Sequence, residues 1–229
     1  MIDRLQELVT QIVIEQEEKR RAAIIAYQTQ INPHFLMNTL SSIRYMIYTS
    51  DPKDIDKMIL ALTKILKYAL SDSGEYATLS MELEQLRNYM TIQQFGFDSP
   101  LDYDITVDPK LEDCKIVKLL LQPLAENAVL HGLKMQQNSP LLTVTAVALY
   151  DNRIQITISD NGIGFDSENV MAQLADGTYT GIGLRNVYNR LLLHYGNNFS
   201  FDIESHTEGN TGTRIVIIIP RETSKEIEP

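Results

Sequence analysis

The chain has 229 residues, of which 44% are hydrophobic and 22% charged, so it is neither disordered nor fibrous and can bury a core. Its formal net charge of -10 argues against duplex nucleic acid, which is bound by neutralising phosphates, and we expect no nucleic-acid partner. The single cysteine, Cys114, excludes an intramolecular disulfide and a cysteine zinc site, which favours a reducing, cytoplasmic setting.

The first ninety-odd residues are poor in glycine and rich in helix formers, which predicts helices. Only Pro33 interrupts the first helical candidate. Asp51 suits an N-cap and Pro52 the first position of the next helix. These signals predict helices over residues 1–49, 52–71 and 80–95 with no strands between them, and therefore a helical bundle.

After Gly96 the pattern changes from helical to alternating. We expect strands over residues 101–107, 141–150, 153–159, 199–205 and 211–219, and helices over residues 118–135 and 183–195. This irregular order predicts an α+β fold with helices on one face of a mainly antiparallel sheet. The predicted divisions are a helical domain over residues 1–97, an α/β domain over residues 98–221 and a tail over residues 222–229.

A carboxylate ends the alternating strand over residues 153–159 and is followed by two glycines, in the order Asp160-Asn161-Gly162-Ile163-Gly164. Asp160 can accept a hydrogen bond from a planar ligand, and Gly162 and Gly164 allow such a ligand to approach the backbone. Taken alone, the Asn-Gly pair in this segment more often marks an ordinary β-turn.

A second glycine pair, Gly181 and Gly183, precedes Leu184 at the start of a predicted helix. Backbone N–H groups at such a helix start attract phosphate. An ordinary loop-to-helix cap has the same pattern. Gly212-Thr213 precedes the last strand, where the Thr213 hydroxyl can support Asp160, but this signal is weak by itself.

Three polar residues, Asn127, His131 and Lys134, follow at i, i+4 and i+7 on the predicted helix over residues 118–135 and form one line. An asparagine oxygen is a hard ligand suited to Mg²⁺, which bridges nucleotide phosphates, and Lys134 can neutralise those phosphates. Each of the three can also be a solvent-facing polar group.

Together these four segments resemble, in order, the ATP-binding fold shared by gyrase, Hsp90, MutL and histidine kinases (the GHKL or Bergerat fold). The resemblance implies ATP and Mg²⁺ as cofactors, with Asn127 coordinating the metal and Asp160 pairing with the adenine amino group. The glycine pairs would lie against the nucleotide, and His131, Lys134, Leu184 and Thr213 complete the candidate ATP site. Residues 165–180 would form the ATP lid.

The helical half contains the segment Asn32-Pro33-His34-Phe35-Leu36-Met37-Asn38. On a helix after Pro33, Leu36, Leu40, Ile43 and Ile47 share one face, and His34 lies almost opposite, away from the bundle core. Neutral histidine is nucleophilic near physiological pH, so His34 can accept phosphate. An isolated histidine of this kind is otherwise an ordinary surface residue.

This segment is similar to the N-P-H-F-L-x-N phosphoacceptor box of LytS/YesM-type sensor histidine kinases, and the similarity extends over residues 20–221. It implies autophosphorylation on His34, transfer to an aspartate of a response-regulator receiver domain, and a homodimer formed through a four-helix bundle. Phe35 stands where many other histidine kinases have an acid, so Glu126 is our candidate catalytic base. The family pattern has an arginine near Gly96 that this chain lacks.

Two alternatives remain open from the sequence: a GHKL serine kinase of the anti-sigma type, and a non-enzymatic nucleotide-sensing dimer. No run of residues is apolar enough to predict a membrane span, and the charged N-terminus is unlike a signal peptide. Since kinases of this kind continue into a sensor, we expect the cytoplasmic part of a cell-membrane sensor, attached through N-terminal regions outside this chain.

Overall fold

The computed structural model describes Arg4 and residues 33–71, 74–97, 100–135 and 139–223. The helix predicted before Pro33 lies, apart from Arg4, outside these ranges. The same holds for residues 224–229 of the predicted tail.

Three helices begin the main described region: α1 (Pro33–Thr49), α2 (Pro52–Ala69) and α3 (Leu79–Gln94). Asp51 caps α2 as predicted, because its side chain accepts a hydrogen bond from the N–H of Lys53 at 2.8 Å. Thr78 caps α3 in the same way through the N–H of Met81, at 3.2 Å. Local capping chemistry therefore sets where these helices begin.

The face of α1 that is buried differs from the predicted one. Leu40 and Ile47, assigned to the core face, are 54% and 61% exposed. Phe35 and Met46 are buried instead, and the Phe35 ring lies 5.5 Å from the ring of Tyr89 in α3. The prediction was wrong for these two residues because α1 packs on α2 and α3 with a different side, whereas Leu36 and Ile43 of the same stripe are half-buried against the core.

Five strands in the described ranges form the main sheet, in the order β2-β4-β5-β7-β6. They are β2 (Asp102–Val107), β4 (Leu141–Ala148), β5 (Arg153–Asp160), β6 (Ser200–His206) and β7 (Gly212–Pro220). Only β2 and β4 pair in parallel, so the predicted mainly antiparallel sheet is confirmed. Alternate β7 residues, Ile215, Ile217 and Ile219, are buried in the core.

A second, three-stranded sheet was not predicted. Its strands are β1 (Tyr76–Thr78), β3 (Cys114–Val117) and β8 (Glu222–Thr223), in the order β1-β3-β8. β1 lies in the region expected to be wholly helical, and β8 lies in the predicted tail. Strands this short have too few residues to produce a recognisable alternation, so only their pairing identifies them.

The helix predicted over residues 118–135 is interrupted. After β3 the chain turns and forms α4 (Leu121–Asn127), then a π-helical turn (Ala128–Gly132) and a 3₁₀ turn (Leu133–Met135). Lys118 is therefore in a buried turn and not in a helix. The change from α to π geometry rotates the residues after Asn127 away from the predicted line.

Two further helices follow β5: α5 (Ser167–Asp176) and α6 (Ile182–Tyr195). α6 matches its prediction, with Gly181 as the N-cap. α5 lies within the segment expected to be a lid loop. Its start is capped by Asp166, whose side chain accepts from the N–H of Asn169 at 3.1 Å.

Candidate functional site

The largest cavity we describe has a volume of about 660 Å³. It lies between the pair of helices α1 and α2, here called the helical hairpin, and helices α4 and α6. Phe35 of α1 and Ile65 of α2 form one wall. The opposite wall is formed by residues of α4 and α6 and the segments beside them, among which are the predicted site residues Glu126, Asn127, His131, Gly181, Gly183 and Leu184. This cavity is called the large cavity here. It brings Phe35, the residue after His34, together with Asn127 and with the glycine pair Gly181 and Gly183.

A second cavity of about 340 Å³, the small cavity, adjoins the first and shares Asn127, His131, Tyr179 and Leu184 with it. Asp160, Gly164 and Thr213 are also in its lining. The remaining lining residues are mostly apolar: Leu124, Ala128, Ile158, Ile163, Phe165, Val170 and Ile215. An apolar slot with one carboxylate is suited to a flat heteroaromatic ring that carries a hydrogen-bond donor.

Asp160 is the last residue of β5, which directs its carboxylate into the small cavity. Burial raises the pKa of Asp160 to about 6, against a lowering effect of backbone hydrogen bonds from Gly162 and Thr213. The Gly162 N–H donates to Oδ1 at 2.9 Å. The carboxylate is therefore held in place by the backbone and lacks full solvation, so it is ready to accept a ligand donor.

Gly162, predicted to lie against a ligand, is placed against Gly132 and Asp160 in the structure. It does not line either cavity but packs against Gly132, where a β-carbon on Gly162 would lie 2.6 Å from the Gly132 Cα and 2.7 Å from Asp160 Oδ1. Only glycine fits between these atoms. Gly162 therefore holds the turn after β5 against the π-helical turn, and Gly164, which lines the small cavity, is the glycine at the candidate ligand surface.

Asn127 lies where the two cavities meet, at the end of α4. Its amide nitrogen is buried and makes no hydrogen bond within the described part of the chain. Gly183 of α6 lies directly against it, since a β-carbon there would be 2.8 Å from Asn127 Nδ2 and 2.9 Å from Oδ1. The absence of a side chain at Gly183 thus leaves room for the amide, and a buried amide without a partner fits a ligand-binding role.

His131 is exposed and lines both cavities, but the predicted line of three polar residues does not form. Lys134 lies in the 3₁₀ turn, is exposed and lines neither cavity. The interruption of the helix after Asn127 is the physical reason. The i+7 spacing assumes continuous α geometry, which a π-helical turn does not preserve.

The segment predicted as a lid contributes Tyr179 to the lining of both cavities. Burial raises the pKa of Tyr179, and the ring lies against Gly181 at the start of α6. The guanidinium of Arg185 donates to the Tyr179 carbonyl at 3.3 Å. Sequence reasoning did not single out this tyrosine, because no local pattern distinguishes it from a loop aromatic.

His34 lies in the first turn of α1 and is exposed, as predicted. It does not line the large cavity, but the next residue, Phe35, does. The amide nitrogen of Asn38, one turn later, lies 3.2 Å from His34 Nε2 and 3.3 Å from Nδ1. The imidazole therefore has a positioned neighbour and stands beside the cavity, accessible from solvent.

Glu126 also lines the large cavity. Burial, followed by the charge of Glu126, raises the pKa of Tyr89, so this tyrosine remains protonated. The structure thus places the candidate base on the same cavity as the residue after His34.

The role expected of Thr213 is carried out by its backbone. Its hydroxyl shares a hydrogen bond with Ser205 Oγ at 3.0 Å, and its backbone hydrogen-bonds the Asp160 carboxylate. Ser205 also donates to the Gly212 carbonyl, at 3.1 Å. The pairing of β7 with β5 and β6, which the sequence does not specify, is what brings these groups together.

Comparison with known proteins identifies the class. Residues 22–101 match the family model described as histidine kinase, and residues 112–223 match the model for the histidine kinase-, DNA gyrase B-, and HSP90-like ATPase. The chain therefore belongs to the histidine kinases, with an ATPase domain of this type, which implies ATP binding.

Individual relatives are sensor histidine kinases. The chain is 36% identical over 224 residues to sensor histidine kinase YesM of Bacillus subtilis, covering 96% of this chain and 37% of that protein. It is 32% identical to sensor histidine kinase YpdA of Escherichia coli, covering 93% and 38% respectively. The chain thus spans less than half the length of the curated relatives it matches.

A solved structure agrees on the fold. Full-length ShkA in complex with AMPPNP is 17% identical, with a TM-score of 0.51 over 75% of this chain and 36% of that one.

No helix among the described residues has the length and apolar character needed to cross a membrane.

Proposed function

We propose that this protein is the kinase core of a two-component sensor, which phosphorylates itself on His34 with ATP and passes the phosphoryl group to a response-regulator aspartate. The observation that carries the proposal is the large cavity, on which the residue after His34, Glu126, Asn127 and Gly183 meet. The proposed division is a helical phosphoacceptor domain over residues 1–97, an ATP-binding domain over residues 98–221 and a tail over residues 222–229.

The donor set fits Mg-ATP. The small cavity accommodates adenine, with Asp160 accepting from its amino group. The buried, unpartnered amide of Asn127 and the N-terminus of α6 at Gly181 and Gly183 suit the phosphates. The described residues contain no cluster of three acidic, histidine or cysteine ligands, so Asn127 and the phosphate oxygens would hold Mg²⁺. When bound, Mg²⁺ neutralises phosphate charge.

In the chemical step a ring nitrogen of His34 forms a bond to the γ-phosphorus as the bond from that phosphorus to the ADP oxygen breaks. ADP leaves, and the imidazole proton passes to a base. Phosphoryl transfer requires mainly positioning and charge stabilisation, so the groups that orient His34 and the triphosphate carry most of the catalysis. Asn38, within 3.3 Å of both ring nitrogens, supports the ring orientation.

Glu126 is the proposed base, because it is the carboxylate that lines the large cavity. Glu126→Gln should lower the autophosphorylation rate at least about tenfold, or 1.4 kcal/mol of transition-state free energy, with ATP affinity little changed. Rates measured from pH 6 to 9 with radiolabelled ATP test this. An unchanged rate removes Glu126 from the mechanism.

Two further parts of the proposal concern assembly and location. The exposed apolar stripe of α1 supports a homodimer formed through the helical hairpins, and the response-regulator receiver domain would meet the exposed His34. The likeness to sensor proteins supports a place in the cytoplasm, as the cytoplasmic part of a cell-membrane sensor.

The deciding experiment is an autophosphorylation assay with radiolabelled ATP on the chain, its His34→Ala variant and its Asn127→Ala variant. We expect acid-labile, base-stable label on the wild type only, with ATP affinity retained in His34→Ala and lost in Asn127→Ala. Acid-stable label on a serine of a partner protein would indicate the serine kinase instead. ATP binding without any covalent label would indicate the nucleotide-sensing dimer.

A further inference from the structure

A buried carboxylate outside both cavities caps the helix that carries Asn127. Glu82 of α3 is 2% exposed and accepts hydrogen bonds from three successive backbone N–H groups, those of Leu119 at 2.6 Å, Leu120 at 2.8 Å and Leu121 at 3.1 Å. The N–H groups of Leu120 and Leu121 belong to the start of α4, whose own N-cap residue provides no side-chain acceptor, and the N–H of Leu119 lies in the turn before it. Helix α3 thus supplies the cap for α4, the helix that ends at Asn127.

The same carboxylate is bound from α2. The Tyr68 hydroxyl donates to Glu82 Oε1 at 2.5 Å, and burial, with the charge of Glu82, holds the pKa of Tyr68 well above its usual range. The hydroxyl is therefore always a donor. Nearby, Lys118 Nζ donates to the Ser71 carbonyl at 2.8 Å and lies 5.0 Å from the centre of the Tyr68 ring. Both helices of the α2–α3 pair hold the turn before α4.

Helix α6 reaches this turn from the opposite side. Arg190 is 5% exposed, and its guanidinium donates to the carbonyls of Lys118 and Leu119, the latter at 3.3 Å. Leu119 therefore has its N–H bound by Glu82 and its C=O bound by Arg190. Its φ of +58° lies in the left-handed region that leucine rarely adopts, a conformation that persists only when its surroundings hold it.

These contacts form one polar joint, made of Tyr68, Glu82, Lys118, Leu119 and Arg190. A buried carboxylate needs its donors, and losing one is costly because charge remains uncompensated in the interior. The joint connects α2 and α3 to both α4 and α6, and these two helices carry Asn127 and Gly183 at the cavities. The hairpin therefore cannot turn relative to the ATP site without breaking several buried hydrogen bonds.

We infer that Glu82 is a positioning residue that fixes the angle between the His34-bearing hairpin and the ATP site, through its cap on α4. This inference rests on the proposed histidine kinase function. Phe35, Glu126 and Gly183 line the large cavity, as do Leu119 and Arg190 of the joint, so the joint sets how closely the phosphoryl donor approaches His34. A misplacement of about 1 Å is enough to slow such a reaction about a hundredfold.

Tyr68→Phe is the cleanest test, because it removes the direct hydrogen bond from α2 to Glu82 while leaving the three N–H bonds of the α4 cap. We expect the autophosphorylation rate at saturating ATP to fall at least about tenfold, with the ATP Kd within about twofold of wild type. Glu82→Gln should also lower the autophosphorylation rate while leaving the ATP Kd nearly unchanged, and its loss of rate should be larger. Tyr150→Phe, in the exposed turn between β4 and β5, is the matched control and should change neither quantity.

A merely structural role would lower the melting temperature and leave the rate of the folded protein unchanged, which would overturn the inference. A parallel loss of rate and ATP affinity would also overturn it, since the joint would then act only on the nucleotide site. All assays are run well below the melting temperature of each variant, checked by circular dichroism.

A second readout does not depend on activity. Spin labels at Lys57→Cys in α2 and Asp202→Cys in β6, diluted with unlabelled chain, report the distance between hairpin and sheet; Cys114 is 0% exposed and stays unlabelled. We expect one narrow distribution, broadened or shifted by Tyr68→Phe and Glu82→Gln. Unchanged distance distributions would overturn the inferred role of Glu82 even if His34 is phosphorylated. A wild type without phosphohistidine would refute the proposed function and leave this measurement interpretable.

Discussion

Asp160 combines a ligand-binding position with an unfavourable environment. It is a carboxylate in an apolar cavity, and burial raises its pKa to about 6, so near neutral pH it is ionised with few donors around it. A nucleotide amino group would supply the missing donor. In the proposed ATP site the residue would therefore lower stability in the free protein and contribute specificity once nucleotide is bound.

Asp160→Asn should stabilise the nucleotide-free protein at pH 7 to 8 and weaken ATP binding at least about tenfold. Removing the buried charge should raise the free energy of unfolding by at most about 3 kcal/mol, because each unit of difference between the folded and unfolded pKa corresponds to about 1.36 kcal/mol. Chemical denaturation and calorimetric titration with ATP measure the two effects. Asp202→Asn, on an exposed position of β6, is the control, and a destabilised Asp160→Asn protein would contradict the prediction.

The pH dependence of stability follows from the same group. The folded-state pKa of about 6 exceeds the unfolded value of 3.8, so the folded chain binds more protons between these values. The contribution of Asp160 to the unfolding free energy is therefore greatest below pH 4 and declines as the pH rises to about 6. The unfolding free energy of the wild type minus that of Asp160→Asn, measured with urea from pH 4 to 7, should fall in this way. A difference that does not change with pH would contradict the prediction.

At the scale of elements, the proposed ATP site depends on how closely α6 approaches the end of α4. Gly183 leaves space for the Asn127 amide, and this contact joins two residues that are 56 positions apart in the sequence. The spacing within each helix is local, but the contact between them is tertiary.

Gly183→Ala should therefore displace Asn127 and weaken Mg-ATP binding about tenfold, equivalent to 1.4 kcal/mol. The added methyl group would lie 2.8 Å from the amide nitrogen, which must move. Alanine favours the helix, so we expect no loss of thermal stability. Gly96→Ala, where a β-carbon has only one neighbour at 3.4 Å, is the control. Unchanged Mg-ATP affinity in Gly183→Ala would refute the close-approach argument.

On the scale of the whole molecule, the hairpin presents apolar side chains that the single chain does not cover. Leu40 and Ile47 of α1 and Leu60 of α2 are each at least 54% exposed. Apolar residues on adjacent helices that remain uncovered are typical of an interface between subunits. The joint at Glu82 would then transmit the hairpin geometry set in a dimer to each ATP site.

Replacing Leu40 and Ile47 together with glutamate should dissociate the dimer, because two charges per chain would be buried in the interface. Light scattering after size exclusion should give the dimer mass for the wild type and the monomer mass for the variant. Met135→Glu, which changes an equally exposed apolar residue away from the hairpin, should remain dimeric. A monomeric wild type at micromolar concentration would contradict the homodimer.

Much of the fold could be predicted because its signals are local. Asp51 and Pro52 define the start of α2, the alternation of residues before Asp160 defines β5, and Gly181 defines the start of α6. Caps and periodicity act within a few residues, so they can be identified in a single chain. The strands β1, β3 and β8 and the helix α5 were missed because short elements carry little periodicity.

The sequence by itself determined the family, the phosphoacceptor candidate His34 and the residues Asn127 and Asp160, since motif spacing and residue chemistry are enough for these. The tertiary structure alone decided which face of α1 is covered, that Lys134 is not among the residues lining the two cavities, and that Glu82 caps a helix 37 to 39 residues later. Burial and hydrogen bonds between distant residues depend on how the whole chain packs, and no local pattern encodes them.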